Sequence, residues 1–433
     1  MSAIAKALFL NGYKISGTDR DNSDTVKALN KLGIKINIGH SAENVNEADI
    51  IVRNAAIKDD FPEIIRAKER NLPIFDRPEV LGYLMKNYKR PVCIAGTHGK
   101  TSTTSMITEI AIAAKCEPTA FIGAELPTIG GTSILGNNDL FIAEACEYCE
   151  SFLSFYPFVS VILNVEADHL DYYRDIDHIK ESFTKFALLS KKNGGVIVNA
   201  DDKNAMDCVK NIDRKIMTFG INAGDIRAAN IKYNKAFASF DLKCCGITLC
   251  TVSLKVPGEF NVYNSLAAAA IAIFCDIDIN AVKVGLEAFK GSSRRFEYKG
   301  EYNGATVIED YAHHPTEMTS TLNTAMEMGF KRVICAFQSH TYTRTAKLFD
   351  DFVIALKIPD LSVIIDIFSA REINTTGITA EHLAENIPNS VCGGSIQNTA
   401  ELLKKIARDG DLILTMGAGE NNKIYDLMNL SKS

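Results

Sequence analysis

The feature that most limits what this chain can fold into is the segment Gly96-Thr97-His98-Gly99-Lys100-Thr101. It follows a short apolar run, Pro91-Val92-Cys93-Ile94-Ala95, and opens a helical pattern from Ser102 to Ala114. A buried strand that ends in glycines and turns straight into a helix is an arrangement that receives phosphate. The glycines let backbone N–H groups close around phosphate oxygens, and the helix N-terminus adds partial positive charge. Lys100 can then reach the terminal phosphates, and the Thr101 hydroxyl is a magnesium ligand. The general pattern has a further glycine where this chain has Ile94, so the loop is a shortened variant.

A bound triphosphate needs a divalent cation, which takes oxygen ligands and an occasional imidazole. Two carboxylate clusters are placed to supply them. Glu144 closes the apolar run Leu140-Phe141-Ile142-Ala143, with Glu147 three residues on, and Glu166-Ala167-Asp168-His169-Leu170-Asp171 follows Val159 to Asn164. Both lie just past the carboxyl ends of predicted buried strands, where α/β proteins bind ligands.

These strands belong to a longer alternation. Tyr13 to Thr18 and Asp49 to Val52 are expected to be buried strands in a first unit. Val196 to Val198, introduced by Gly194-Gly195, and the alanine-rich helix Asn261 to Phe274 extend the second. Thr306 to Glu309, Arg332 to Ala336, Val363 to Asp366 and Leu412 to Thr415 are apolar runs separated by helical stretches, as in a parallel sheet with crossover helices. At 433 residues the chain is too long for one core. The expectation is three α/β domains: a Rossmann-like unit over 1–88, a central P-loop ATPase-type unit over 89–291, and a Rossmann-like C-terminal unit over 292–433.

Composition removes other classes. A net charge of −6 gives no global basic surface for a nucleic-acid backbone. No apolar run reaches the length of about eighteen residues that spans a bilayer. Eleven scattered cysteines fit reduced thiols, and Cys146-Glu147-Tyr148-Cys149 has no second pair at zinc-ligand spacing. A cytoplasmic protein is expected, without nucleic-acid or membrane partners. The sequence specifies no oligomeric state.

A third cluster, Asp310-Tyr311-Ala312-His313-His314-Pro315, follows the first strand of the last unit. Arg294-Arg295 and the stretch Gln338-Ser339-His340-Thr341-Tyr342-Thr343-Arg344 add cations and donors suited to carboxylate or phosphate.

Taken in order, these segments resemble the Mur ligase family of peptidoglycan synthesis. The likeness covers nearly the whole chain and includes Glu144 to Tyr148, Asn164 to Asp171, Gly258 to Asn264, Arg294 to Glu297, Glu309 to Glu317, Phe337 to Thr345 and Met416 to Gly419. The Glu144–Asp171 and Asp310–Glu317 segments are closer to the alanine-adding branch. The resemblance implies ATP and Mg2+, with Mn2+ as an alternative cation, and UDP-N-acetylmuramate and L-alanine as substrates. The lactyl carboxylate is converted to an acyl phosphate and then to an amide. By matching position, Gly96, Thr97, His98, Gly99, Lys100, Thr101 and Ser102 hold ATP phosphates, with Arg295 added to the nucleotide set. Asn261 and Asn264 contact adenine, and Asp310 the ribose. Thr101 and Glu144 bind magnesium, His169 serves a second metal, and Glu147 is a reserve ligand. His313, His314 and Arg344 handle the amino acid and the transferring phosphate. Lys100, His169, His314 and Arg344 form the expected catalytic set.

The chain departs from the family pattern at its front, where Met1-Ser2 matches the end of a glycine-rich turn, so the first strand and its diphosphate-binding donors are expected to be missing. Ser339 and Thr341 replace a proline and an arginine often found there. Two rival readings are a relative that attaches a preformed peptide and a nucleotide-binding regulator without catalysis.

Overall fold

The phosphate-loop strand, Arg90–Ala95, is the axis around which the middle of the molecule is built. Its neighbours on both sides are parallel to it. Val92 aligns with Ile142 of Leu140–Glu144 on one side and with Val159 of Val159–Ile162 on the other. Residues 91 to 95 are buried on both faces, which is why the strand is continuously apolar rather than alternating. The computed structural model describes residues 1–433 except Asn138, Asp171, Arg371, Lys432 and Ser433. Asp171, quoted above in the second carboxylate cluster, therefore lies outside the described residues.

From this axis the middle sheet grows to ten strands. Thr119–Leu126 and Gly131–Ile134 extend it beyond Leu140–Glu144. On the other side Gly195–Asn199 and Ile216–Gly220 continue it in parallel, and Ile226–Asn234, Phe237–Cys244 and Ile247–Pro257 complete it. Of these last three strands the middle one, Phe237–Cys244, is antiparallel to both of the others. Phe237–Cys244 alternates half-buried with buried residues, the period-two signature of a strand with one core face. The helix Glu259–Phe274 buries Ala267, Ala268, Ala269 and Ala270 completely against this core. Short side chains let it approach the phosphate-loop helix, Lys100–Ala113, closely.

The last sheet has six strands in the spatial order Glu297–Tyr302, Ala305–Asp310, Asp411–Met416, Arg332–His340, Leu361–Phe368 and Ser390–Gly394. The first pairing is antiparallel and the others are parallel. Helices cover both faces, giving two apolar layers, one around Phe337, Phe352 and Leu414 and one around Ile334, Ile365 and Leu403. Asp310 and His340 end the two strands that flank Asp411–Met416, so both stand at the carboxyl edge of this sheet.

The N-terminal strands correct an expectation. They form two separate parallel pairs, Ser16–Asp19 with Lys35–Ile38 and Ile51–Arg53 with Ile74–Asp76. None of Ser16–Asp19 or Ile51–Arg53 is fully buried, and Tyr13 is 49% exposed. A sheet of two strands has only edges, so neither pair acquires the covered faces that the apolar runs suggested. Burial here falls instead on helical residues such as Val26, Ile64 and Leu81.

Candidate active site at the seam between the middle and C-terminal sheets

Gly96 and Gly99 make the phosphate loop possible. Gly96 has φ +148°, and a Cβ there would stand 2.8 Å from the Leu163 Cβ; Gly99 has φ +83° and caps the helix Lys100–Ala113. Asn164 holds the loop by a reciprocal clamp, its Oδ1 accepting from the His98 N–H at 2.7 Å and its Nδ2 donating to the His98 carbonyl at 3.1 Å. The Thr97 hydroxyl accepts from the Glu166 N–H at 2.9 Å. Ser102 follows at the first turn of the helix and is half-buried.

Lys100 curls over this loop. Its Nζ donates to Glu147 Oε2 at 3.0 Å, to Glu147 Oε1 and the Thr97 carbonyl at 3.1 Å each, and to the Gly96 carbonyl. Burial disfavours the ammonium, but the Glu147 carboxylate outweighs it and holds the pKa above the ordinary lysine value. Beneath the helix N-terminus the Thr101 hydroxyl donates to Glu144 Oε2 at 3.1 Å, and the Gly123 N–H donates to Glu144 Oε1. Burial pushes the Glu144 carboxyl above its usual range despite these donors and the nearby Arg295 and Lys100. A hydroxyl and a buried carboxylate meeting at a phosphate-loop helix are a hard oxygen pair, so the residues present fit a magnesium-class cation. His169, with φ +53°, brings Nε2 to 3.8 Å from Glu147 Oε1 and 3.7 Å from Asp168 Oδ2.

The C-terminal sheet faces this loop with the turn after Ala305–Asp310. Glu317, on the helix Pro315–Glu327, reaches His98 Nδ1 at 3.0 Å and accepts from the His313 N–H at 3.2 Å. His98 Nε2 faces Glu166 Oε2 at 3.5 Å. Burial disfavours the His98 imidazolium, yet the Glu166 and Glu317 carboxylates overcome it and raise the pKa to about 10. Glu317 is held well below the usual carboxylate range, its burial outweighed by His98, His313 and Arg295. His313 goes the other way. Its Nδ1 lies 3.0 Å from the Tyr311 carbonyl, and burial with Arg344 and Arg295 nearby lowers its pKa to about 4 against the pull of Glu317. His314 caps the helix and is lowered chiefly by burial.

Asp310 accepts the Phe296 and Ala312 N–H groups at 2.8 Å each, and burial still raises its pKa to about 6. The two arginines of the linker separate. Arg294 is consumed internally, donating to buried Glu309 at 2.7 Å and to the Gly417 and Gly419 carbonyls, so it is not free to bind a ligand. Arg295 stands 5.1 Å from the Tyr311 ring centre and acts electrostatically on Glu144, Asp310 and Glu317. Arg344, on the helix Tyr342–Lys347, is half-buried near Asp168 and His313. The departures nearby have structural uses: the Ser339 hydroxyl meets that of Thr345 at 2.6 Å, and Thr341 caps the helix at φ +70°.

Lys100, Thr101, Glu144, Glu147 and His169 thus gather on one side, and His313, His314, Asp310, Arg295 and Arg344 on the other. Asn261 and Asn264 stand on the helix Glu259–Phe274, with Asn264 packed against the phosphate loop, where a Cβ on Gly99 would collide with its Oδ1. Asn261 donates to the Pro257 carbonyl at 2.8 Å, Asn264 donates to Asn261 at 3.1 Å, and the Thr103 hydroxyl donates to Asn264 at 3.3 Å. Sequence reasoning assigned no role to Asn164 or Glu317. Only the segments containing them drew notice, since a partner 219 residues away leaves no local signal.

Three family models match the chain in order: the Mur ligase family catalytic domain over residues 1–89, the Mur ligase middle domain over 94–272, and the Mur ligase glutamate ligase domain over 294–419. A UDP-N-acetylmuramate–L-alanine ligase from Clostridium tetani is 46% identical over 432 residues, covering 99% of this chain and 95% of its own. The chain belongs to the Mur ligase family. A second relative of the same name, from Clostridium novyi, is 44% identical over 99% of this Mur ligase and 94% of its own length. Among solved structures, the UDP-N-acetylmuramate-alanine ligase from Thermotoga maritima superposes with a TM-score of 0.83 at 26% identity, covering 99% of this chain and 95% of that one. A murein peptide ligase from Psychrobacter arcticus shares the fold, with a TM-score of 0.73 at 24% identity over 100% and 96% of the two chains. No helix among the described residues of this Mur ligase is long and apolar enough to cross a membrane.

Proposed function

We propose that this Mur ligase is a cytoplasmic enzyme of peptidoglycan synthesis that joins L-alanine to the lactyl carboxylate of UDP-N-acetylmuramate, consuming ATP. The observation that carries this reading is the seam itself, where a lysine-bearing phosphate loop with a hard oxygen pair faces a histidine and arginine cluster from another sheet. The alanine-adding relatives, matched along nearly their full length, support the choice of substrates.

In this reading residues 1–88 take the sugar nucleotide, 89–291 take ATP, and 292–433 close over both. The Gly96–Ser102 backbone and Lys100 hold the triphosphate, and Arg295 adds a cation from the far side. Asn261 and Asn264 are assigned to adenine and Asp310 to the ribose hydroxyls. Thr101 and Glu144 would hold Mg2+ or Mn2+, which when bound spreads the charge of the transferring phosphoryl group. His169 is assigned to a second cation, with Glu147 in reserve.

A free carboxylate is a poor electrophile, so it takes the γ-phosphoryl group first and becomes an acyl phosphate. Lys100 and Arg344 offset the charge that builds on the transferring group. The alanine amine then attacks the acyl carbon, and phosphate leaves. That amine must be neutral to attack. His313 and His314, both shifted toward the neutral form, provide uncharged imidazoles beside it, and His314 is the proton acceptor. Closure of the C-terminal sheet over the loop excludes the water that would hydrolyse the acyl phosphate.

The test is phosphate release from ATP and Mg2+ with UDP-N-acetylmuramate and, in turn, L-alanine, glycine, L-serine or a tripeptide. Release that requires both the sugar nucleotide and L-alanine is expected. Dependence on the tripeptide would assign the chain to the peptide-attaching relatives, and nucleotide binding without release under any combination would favour a regulatory protein.

A further inference from the structure

Three donors from three segments converge at the seam outside the Thr101–Glu144 pair. They are His98 of the phosphate loop, Glu166 after the strand Val159–Ile162, and His314 at the start of the helix Pro315–Glu327. One ligand atom from each lies within 4.8 Å of the others. His98 Nε2 and Glu166 Oε2 are already 3.5 Å apart, and the His98 and His314 ring centres are 5.7 Å apart. Ligands on a tetrahedral ion with bonds near 2.1 Å stand roughly 3.4 Å from one another, so small side-chain rotations complete the set.

Two features distinguish this group from neighbouring polar residues. His98 Nε2 is buried and has no hydrogen-bond partner among the described residues, a costly condition for a ring nitrogen. Its other nitrogen, Nδ1, faces Glu317 Oε1 at 3.0 Å. A carboxylate on one imidazole nitrogen fixes the tautomer that presents a lone pair on the other, which is how metal-bound histidines are held. Two imidazoles and a carboxylate also suit zinc-class ions better than magnesium, which prefers oxygen alone.

We propose that His98, Glu166 and His314 form a binding site for a divalent transition cation of the zinc class, with Glu317 orienting His98 from behind. The ion takes the place of the proton on His98 Nε2, the nitrogen on the Glu166 side, and that proton is released to solvent while the Nδ1 proton stays with Glu317. His98 and Glu166 belong to the middle sheet and His314 to the C-terminal one. An occupied site therefore ties the two sheets together.

The experiment loads the full-length enzyme with Co2+ in excess Mg2+ and records its ligand-field spectrum, with X-ray absorption on the Zn2+-loaded protein. One equivalent is expected, displaced by Zn2+ and not by Mg2+, with two imidazoles in its shell. Glu166→Gln and His314→Gln should each weaken Co2+ binding at least about tenfold, and Glu317→Gln about 10-fold to 100-fold. Glu144→Gln should leave the spectrum unchanged. The proposal is overturned if Mg2+ displaces the ion, if the shell lacks two imidazoles, or if Glu144→Gln abolishes binding while His314→Gln does not. The absorption measurement uses the unaltered protein, so a misfolded variant does not remove the test.

Discussion

The two faces of the seam bury histidines in opposite charge states, although both histidines touch the same carboxylate. On the loop face His98 sits between Glu166 and Glu317 and is raised to about 10. On the C-terminal face His313 also approaches Glu317, at 3.5 Å, yet is lowered to about 4. Burial opposes charge at both sites. His98 has two carboxylates in reach, whereas His313 has one carboxylate, a backbone carbonyl and two nearby arginines. The balance of neighbouring charge, rather than the depth of burial, therefore decides which face is cationic.

The strongest challenge to that comparison is removal of Lys100, the cation on the loop face assigned above to the transferring phosphoryl group. Lys100→Met should reduce phosphate release by at least about a thousandfold, because the transferring charge loses its main counter-charge. It should also lower unfolding free energy by about 3 kcal/mol in a urea titration, since Glu147 is left buried without its partner. A loss of activity with unchanged stability would mean Glu147 finds another donor.

Glu317→Gln sharpens the comparison directly. It should cut kcat/KM about 10-fold to 100-fold and bring the His98 pKa, followed by NMR, down from about 10 toward the ordinary histidine value. A His98 that stays near its original pKa would show that Glu166 alone is responsible.

The pH dependence should have two limbs of opposite sign. A histidine raised from 6.5 to about 10 contributes stability that is complete below 6.5 and disappears as pH rises through 10. A histidine lowered to about 4 is protonated more readily unfolded than folded, so its contribution is lost as pH falls from 6.5 toward 4. In melting curves against pH, His98→Asn should flatten the alkaline limb and His313→Asn the acid limb. If either variant flattens the wrong limb, the assignment of charge states is reversed. The smallest effect is expected at Ser339→Ala, which removes one buried hydroxyl contact and should cost about 1 kcal/mol with little change in kcat.

Much of this was legible in the sequence because local chemistry and fold coincide there. Pro91 to Thr101 announces strand, turn and helix together, and the buried parallel strands are apolar without interruption. Other parts had no such signature. Ser16–Asp19 and Ile51–Arg53 carry strand composition, but burial depends on how many strands pair, which composition does not encode. The antiparallel strands from Ile226 to Pro257 alternate, and that period was overshadowed by the stronger parallel pattern around them. Arg294 and Arg295 are indistinguishable as neighbours in sequence; only the fold shows that Glu309 captures the first. The reverse holds for Glu317, which resembles an ordinary first-turn helix acid until His98 is found beside it.

The contact between Lys100 and Glu147 has a further consequence for what this loop admits. The lysine of this loop is held by a resident carboxylate, Glu147, and by the Gly96 and Thr97 carbonyls. A visiting anion must evict that resident, and a single phosphate brings few contacts to offset its loss. A triphosphate accompanied by a cation brings backbone donors, a second set of charges and a ligand for Thr101 and Glu144 at once. A ligand that engages Lys100, Thr101 and Glu144 together therefore offsets the loss of the Lys100–Glu147 contact better than a lone phosphate does.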